Sequence, residues 1–251
     1  MDMLALLVDL HKHNKRQGPG GDDETQLAIR LSGLQSAQNL RIADIGCGTG
    51  AQTCVLAQEL DARVVAVDFL AEFLEMLDDG MQGEAVPGSI EKLVASMDDM
   101  PFEPEDFDAI WSEGAIYNIG FEAGIRALRR YLKPGGVLAV SELTWFTAER
   151  PAAIEAHWTK EYPEIATAGT KIALLEKHGY TPIGYFPLPE GCWRENYYRP
   201  LEQGFDAFLA RHGSSAEARA VVASHRTEIA LYNEYAAYFG YGYYLARKAG
   251  E

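Results

Sequence analysis

Between Leu40 and Leu143 the chain alternates short apolar runs with longer stretches whose apolar positions return every three or four residues. The short runs predict strands at Arg41–Ile45, Arg63–Val67, Ser89–Ala95, Phe107–Ser112 and Gly136–Leu143. Near-continuous apolar runs of this length suit strands buried on both faces. The stretches between them predict helices, one over Ala51–Leu60 and one beginning near Leu70. Such alternation is that of a parallel, doubly wound α/β sheet. Upstream, Met3, Leu4, Leu7, Val8 and Leu10 give an amphipathic helix ended before the Gly18-Pro19-Gly20-Gly21 turn, and Asp22 or Asp23 caps a second helix through Leu31. Beyond Phe146 the pattern predicts helices over Pro151–Trp158, Thr170–His178, Phe205–Arg211 and Ala216–Phe239. A sixth strand is expected at Tyr180–Leu188 and a last one at Gly240–Arg247.

The first strand breaks into Gly46-Cys47-Gly48-Thr49-Gly50, glycines at alternate positions just before a helix. Such a loop turns sharply and lets a ligand approach main-chain N–H groups at the positive end of the helix dipole. It lies where open α/β sheets bind cofactors, at the carboxyl end of a strand. The dinucleotide fingerprint wants its third glycine three positions after the second, and here Ala51 takes that slot. Asp68 closes the next apolar run at the place of a ribose-binding carboxylate, and it serves equally well as the cap of the helix near Leu70.

Further motifs follow in order: Ala95-Ser96-Met97-Asp98-Asp99-Met100-Pro101-Phe102, Phe107-Asp108-Ala109-Ile110-Trp111-Ser112-Glu113, Leu132-Lys133-Pro134-Gly135-Gly136 and Val137-Leu138-Ala139-Val140-Ser141-Glu142. Together with the glycine loop they resemble class I S-adenosylmethionine-dependent methyltransferases, in particular the group of ubiquinone and menaquinone C-methyltransferases. The resemblance is strong from Leu40 to Phe146 and looser elsewhere. Arg16-Gln17-Gly18-Pro19-Gly20 and the segment from Trp111 to Gly120 are similar to a bacterial small-molecule methyltransferase subgroup without an assigned substrate.

The resemblance implies a Rossmann-like α/β fold, a seven-stranded mostly parallel sheet of order 3-2-1-4-5-7-6, and an added helical lid. It implies S-adenosyl-L-methionine as cofactor and S-adenosyl-L-homocysteine as product. Gly46, Cys47, Gly48 and Gly50 would line the methionine and ribose part, with Asp44 meeting the ammonium or orienting the loop. Asp68 would accept from the ribose hydroxyls and Phe69 would lie by the adenine face. Ser96, Met97 and Asp98 would meet the adenine edge, although the family usually has an acid where this chain has Ser96. Ser112 would hold the methionine end through its backbone. Arg16, Gln17 and Gly18 would close over the cofactor with Arg16 near the methionine carboxylate; the same stretch also reads as a plain connector.

At 251 residues, 47% of them hydrophobic, the chain suits a single domain 1–251. Residues 1–33 would form an N-terminal arm over the cofactor, and 147–178 and 189–239 lid segments. No apolar run reaches the roughly 20 residues of a membrane span, so no membrane partner is expected and a cytoplasmic location is. Net charge is −15, and Lys92 is the only basic residue from Val64 to Ile125. That excess repels phosphate backbones and argues against nucleic acid. The three cysteines and six histidines show no metal-ligand spacing, so no metal and no disulfide are expected. Exposed-looking tyrosines near the C-terminus offer a surface for a homodimer.

Methyl transfer needs a nucleophile in line with the carbon–sulfur bond, and a base only where the nucleophile must lose a proton. Candidates lie past the fourth and fifth strands. Glu113 is the first choice, or else a partner for Arg16; Tyr117 and Asn118 open the next helix, Glu142 ends strand five, and His157 sits on the lid. Trp145, Phe146, Trp158 and Trp193 supply aromatic walls, and carboxylates amid aromatics suit a small amine-bearing or cationic substrate. A nicotinamide-dependent oxidoreductase and a non-catalytic nucleoside sensor are the alternatives; glycine spacing and the Pro-Gly-Gly turn disfavour the first. The acceptor atom is not legible.

Overall fold

Five apolar runs become parallel strands: β1 (Leu40–Ile45), β2 (Ala62–Asp68), β3 (Ser89–Val94), β4 (Phe107–Glu113) and β5 (Leu132–Trp145). The computed structural model describes residues 2–80 and 88–250, without the side chains of 78–80; Met1, 81–87 and Glu251 of the expected 1–251 domain lie outside the described residues. Two later strands, β7 (Tyr180–Pro187) and β8 (Phe239–Lys248), complete the sheet, with β8 antiparallel between β5 and β7. The order β3-β2-β1-β4-β5-β8-β7 is the topology the resemblance implied. One short strand was not foreseen: β6 (Ala166–Thr167) pairs with the end of β5. Pro182 falls on β7, an edge of the sheet, where a residue without an N–H is tolerated and the register shifts.

Before the sheet come α1 (Met3–His11) and α2 (Asp22–Ser32). Between strands lie α3 (Ala51–Glu59), α4 (Ala71–Gly80) and α5 (Phe121–Leu128); Tyr117 and Asn118 belong to a short 3₁₀ turn, Ile116–Ile119. After β5 come α6 (Ala152–Glu161) and α7 (Ala168–Lys177), the latter capped by Thr167, whose hydroxyl accepts from Thr170 N. Then α8 (Glu190–Trp193) runs through a π turn, Arg194–Tyr198, into α9 (Arg199–Arg211), and α10 (Ala216–Tyr235) follows. The helix expected up to Phe239 ends earlier because Phe239 already pairs with Trp145 in the sheet.

One core joins Leu6 and Leu10 of α1, Ala28 and Ile29 of α2, and Val55 and Leu56 of α3 to Phe205, Phe208 and Val221 of α9 and α10. The arm and the late helices therefore form one cap over the carboxyl ends of the strands. The other face of the sheet packs on α5 and α7 through Phe121, Ile125, Leu128 and Leu175. Of the C-terminal tyrosines expected at the surface, Tyr243 and Tyr244 are buried on β8, while Tyr235, Tyr238 and Tyr241 are half-buried. Among the described residues no helix is long and apolar enough to cross a membrane.

Candidate cofactor and acceptor site

The loop after β1 needs its glycines for different reasons. Gly46, Gly48 and Gly50 all take positive φ, at 71°, 57° and 86°. A Cβ on Gly46 would stand 2.3 Å from Ala115 Cβ, and one on Gly48 2.2 Å from Gln17 Oε1. Gly46 N and Cys47 N donate to Val67 O at 2.8 and 3.0 Å, which ties the loop to β2. Asp68 completes that tie: its Oδ2 accepts from Gly48 N and its Oδ1 from Leu70 N, each at 2.9 Å.

Above this loop lies a cavity of about 420 Å³ whose walls include Gly46, Cys47, Gly48, Asp68, Phe69, Met97, Glu113, Tyr117 and Asn118. Arg16, Gln17 and Gly18 of the arm close its upper side. A side cavity of about 230 Å³ continues between Asp68, Phe69, Ser96, Met97 and Asp98. Phe69 is 56% exposed, a large apolar face turned outward at a cavity wall.

Three expected cofactor residues are not among those walls. Asp44 is fully buried beneath the loop, accepting from Gln52 Nε2 at 3.2 Å and Thr53 Oγ1 at 2.5 Å; burial pushes its carboxyl up to about 7. Gly50 faces α4, where a Cβ would meet Leu77 Cδ1 at 2.1 Å. Ser112 donates its hydroxyl to Ile45 O at 2.9 Å and thereby joins β4 to β1. All three shape the loop from below.

The arm is fastened at three points. Gln17 Oε1 accepts from Thr49 N at 2.9 Å, while its Nε2 donates to Asn14 O at 2.9 Å and to Thr49 Oγ1 at 3.0 Å. Arg16 donates to Glu113 Oε2 and to Asp22 Oδ1, both at 3.1 Å. Glu113 Oε1 accepts in addition from Thr25 Oγ1 at 2.7 Å, Tyr243 OH at 2.9 Å and Trp111 Nε1 at 3.2 Å. The third fastening joins His11 and His225 through their Nε2 atoms at 3.1 Å. His225 Nδ1 lies 2.9 Å from Val221 O, which can only accept, so His225 carries its proton on Nδ1 and His11 donates across the pair.

A second chamber of about 220 Å³ shares Gln17, Gly18, Pro19, Gly114, Tyr117 and Tyr197 with the first as common walls. Glu142, Glu161 and Glu228 line it, with the rings of Trp158, Tyr162, Trp193 and Tyr241. Glu142 is wholly buried; its Oε1 accepts from Leu143 N at 2.6 Å, and the Tyr162 hydroxyl stands close to its carboxylate. Burial raises its carboxyl, opposed by the charge of Lys171. Glu228 accepts from Tyr198 OH at 3.0 Å, and burial raises it as well.

His157 is not among the walls of either chamber; its ring packs against Trp158 at 5.0 Å. Asn118 spends its amide on Ala115 O at 2.9 Å. Trp145 and Phe146 line a separate groove with Tyr185 and Pro187, so only Trp158 and Trp193 of the four expected aromatics wall the second chamber. Glu228, Tyr197 and His225 escaped the sequence reading. Glu228 did leave a signal, falling seven positions after Val221 and four before Tyr232, on the buried stripe of α10.

Residues 43–140 match the family described as methyltransferase domain. The ubiquinone/menaquinone biosynthesis C-methyltransferase of Geotalea daltonii is 28% identical over 127 residues, 49% of this chain and 54% of that protein. The demethylmenaquinone methyltransferase of Clavibacter sepedonicus is 30% identical over 125 residues, 49% of each. The chain thus matches about half the length of these curated relatives. In fold it is similar to a SAM-dependent methyltransferase from Geobacter sulfurreducens solved with S-adenosyl-L-homocysteine, with TM-score 0.77 and 17% identity over 96% of this chain and 97% of that one.

The cavity fits S-adenosylmethionine: the glycine loop leaves no room for Cβ atoms, Asp68 ends β2 at the cavity wall, and Phe69 presents an open face beside Met97. Sequence motifs, sheet order and this cradle agree: residues 43–140 carry a methyltransferase domain, and the sheet has the fold of S-adenosylmethionine-dependent methyltransferases.

Proposed function

We propose that the protein transfers a methyl group from S-adenosylmethionine to an amine nitrogen of a compact small molecule held in the second chamber. The carrying observation is the chamber's composition: three carboxylates and several aromatic rings, with no lysine, arginine or histidine among its walls. Such walls attract a cation through carboxylate charge and ring quadrupole together. At about 220 Å³ the chamber lies below the range of about 300–1,000 Å³ typical of drug-sized ligands. Gly114, Tyr117 and Tyr197 wall both cavities, which sets the acceptor chamber directly beside the cofactor cavity.

When bound, S-adenosylmethionine supplies an already activated methyl carbon. Asp68 would accept from its ribose hydroxyls and Phe69 would cover its adenine, while the arm residues Arg16 and Gln17 would exclude water above. An ammonium has no lone pair, so the acceptor must first lose a proton. Glu142 Oε2 would take it and so free the amine lone pair; bound S-adenosylmethionine would supply the methyl carbon, its carbon–sulfur bond giving way to the new nitrogen–carbon bond with S-adenosylhomocysteine as the leaving group. A carboxyl raised by burial is better matched to that transfer near neutral pH than an exposed one. Glu113 anchors the arm in this reading, since its two oxygens already serve four donors.

The test is methyl transfer to a panel of amines, phenols and carboxylic acids, read by mass, with wild type and Glu142→Gln. Amines are expected to be methylated, and Glu142→Gln should lower kcat about 100-fold or more with cofactor affinity unchanged. Methylation of acids alone, or full activity in Glu142→Gln, overturns the proposal.

A further inference from the structure

Among the described residues, the buried side-chain nitrogen and oxygen atoms outside the regular hydrogen-bond network include four on residues lining the second chamber. They are Trp158 Nε1 and Trp193 Nε1, together with Glu142 Oε2 and Tyr162 OH, which stand within reach of each other. A buried polar atom left alone costs about 1–3 kcal/mol, so native proteins keep few of them. Their gathering around one cavity marks a place that a ligand completes. The kinds of atom then describe the ligand. A carboxylate oxygen wants a donor, which an amine supplies, but an indole N–H can only donate and gains nothing from an ammonium.

We infer that the acceptor carries, beside its amine, a neutral oxygen that takes hydrogen bonds from the indole N–H groups of Trp158 and Trp193. This inference rests on the amine reading above and narrows it to amino alcohols, amino phenols and their ether or carbonyl counterparts. An ionised oxygen does not fit, because Glu142, Glu161 and Glu228 all face the same space. Lys171 is not among the chamber's walls; its Nζ lies 4.2 Å from the Phe121 ring centroid and 5.5 Å from that of Tyr162. Its charge acts on Glu142 and Glu164.

Calorimetry on the full chain saturated with S-adenosylhomocysteine separates the possibilities without any turnover. The probes are two shape-matched pairs, tyramine with phenethylamine and 3-amino-1-propanol with butylamine, plus 4-aminobutyrate. The oxygen-bearing member of each pair should bind about tenfold tighter, the worth of one to two hydrogen bonds. Trp158→Phe together with Trp193→Phe keeps both walls aromatic; it should erase the gap within each pair, the two members of a pair then binding alike. Equal affinity within the pairs, a gap that survives the double substitution, or tightest binding by 4-aminobutyrate overturns the neutral-oxygen inference and leaves the amine reading standing. Failure of every amine to bind removes the amine reading, and this inference with it.

Discussion

Glu113 and Arg16 meet almost wholly out of water, at 4% and 6% side-chain exposure. A buried ion pair of this kind is costly to break from one side, since the surviving charge stays buried. Glu113→Gln leaves Arg16 only Asp22, a partner with 42% side-chain exposure. The substitution should lower unfolding free energy by about 3 kcal/mol, read from the urea midpoint at constant slope. A loss under about 1 kcal/mol would show that Asp22 alone compensates the guanidinium. At this scale the sequence was half legible. The position of Glu113 after an apolar run marked it, and Arg16 was named as its possible partner. Thr25 and Tyr243 were out of reach because they stand 88 and 130 residues away in the chain. Asp44 shows the opposite failure: it was read as facing a ligand from its place before the glycines, while its oxygens turn down onto Gln52 and Thr53.

Elements were legible in proportion to how strongly their own residues constrain them. The five parallel strands carry apolar runs because most are covered on both faces, and they appeared within a few residues of expectation; β5 begins earlier, at Leu132. β6 has two residues and no pattern to show, and the π turn at Arg194–Tyr198 leaves no periodic mark in so short a span. That turn nevertheless matters, since Tyr197 walls both chambers and Asn196 Nδ2 donates to Gly20 O at 2.8 Å. The docking of α1 on α10 carries a pH dependence through His11. Burial, with the charge of His225 behind it, lowers the His11 pKa from 6.5 to about 3. A depressed group favours the docked state fully above its ordinary value and loses that contribution as pH falls from 6.5 toward 3. The groups around it are the rings of His225 and Tyr197, with no carboxylate among the causes of its shift. Protection factors of the α1 amides, corrected for the pH dependence of intrinsic exchange, should therefore fall up to about tenfold per pH unit below 6.5. His11→Phe should flatten that profile, and an unchanged slope in the variant would assign the effect to another group.

Over the whole molecule the cofactor cavity lies between three parts that share one core: the sheet's carboxyl edge, the arm and the cap of α8 to α10. A ligand filling it binds the folded chain and not the unfolded one, so it stabilises all three together. S-adenosylhomocysteine at about 100 times its Kd should add about 2.7 kcal/mol and raise Tm by roughly 5–10 °C for a chain of this size. A shift below about 1 °C at that ratio would detach the cavity from the cofactor. The sheet half of the site was readable because its residues cluster within a few motifs. The cap half was not, because Tyr197, His225 and Glu228 acquire their meaning only when distant helices fold over the strands.

The antiparallel insertion of β8 has a bearing on how the chain reaches this state. β5 pairs along nine residues with a strand that lies almost a hundred positions later, and β7 has no other neighbour. While a ribosome is still making residues 239–248, the first five strands can assemble, but Glu113 lacks its phenol donor and β5 offers an open edge. Nascent protein must keep that edge from strangers until its own last strand arrives, so the interval before its arrival is when self-association threatens most.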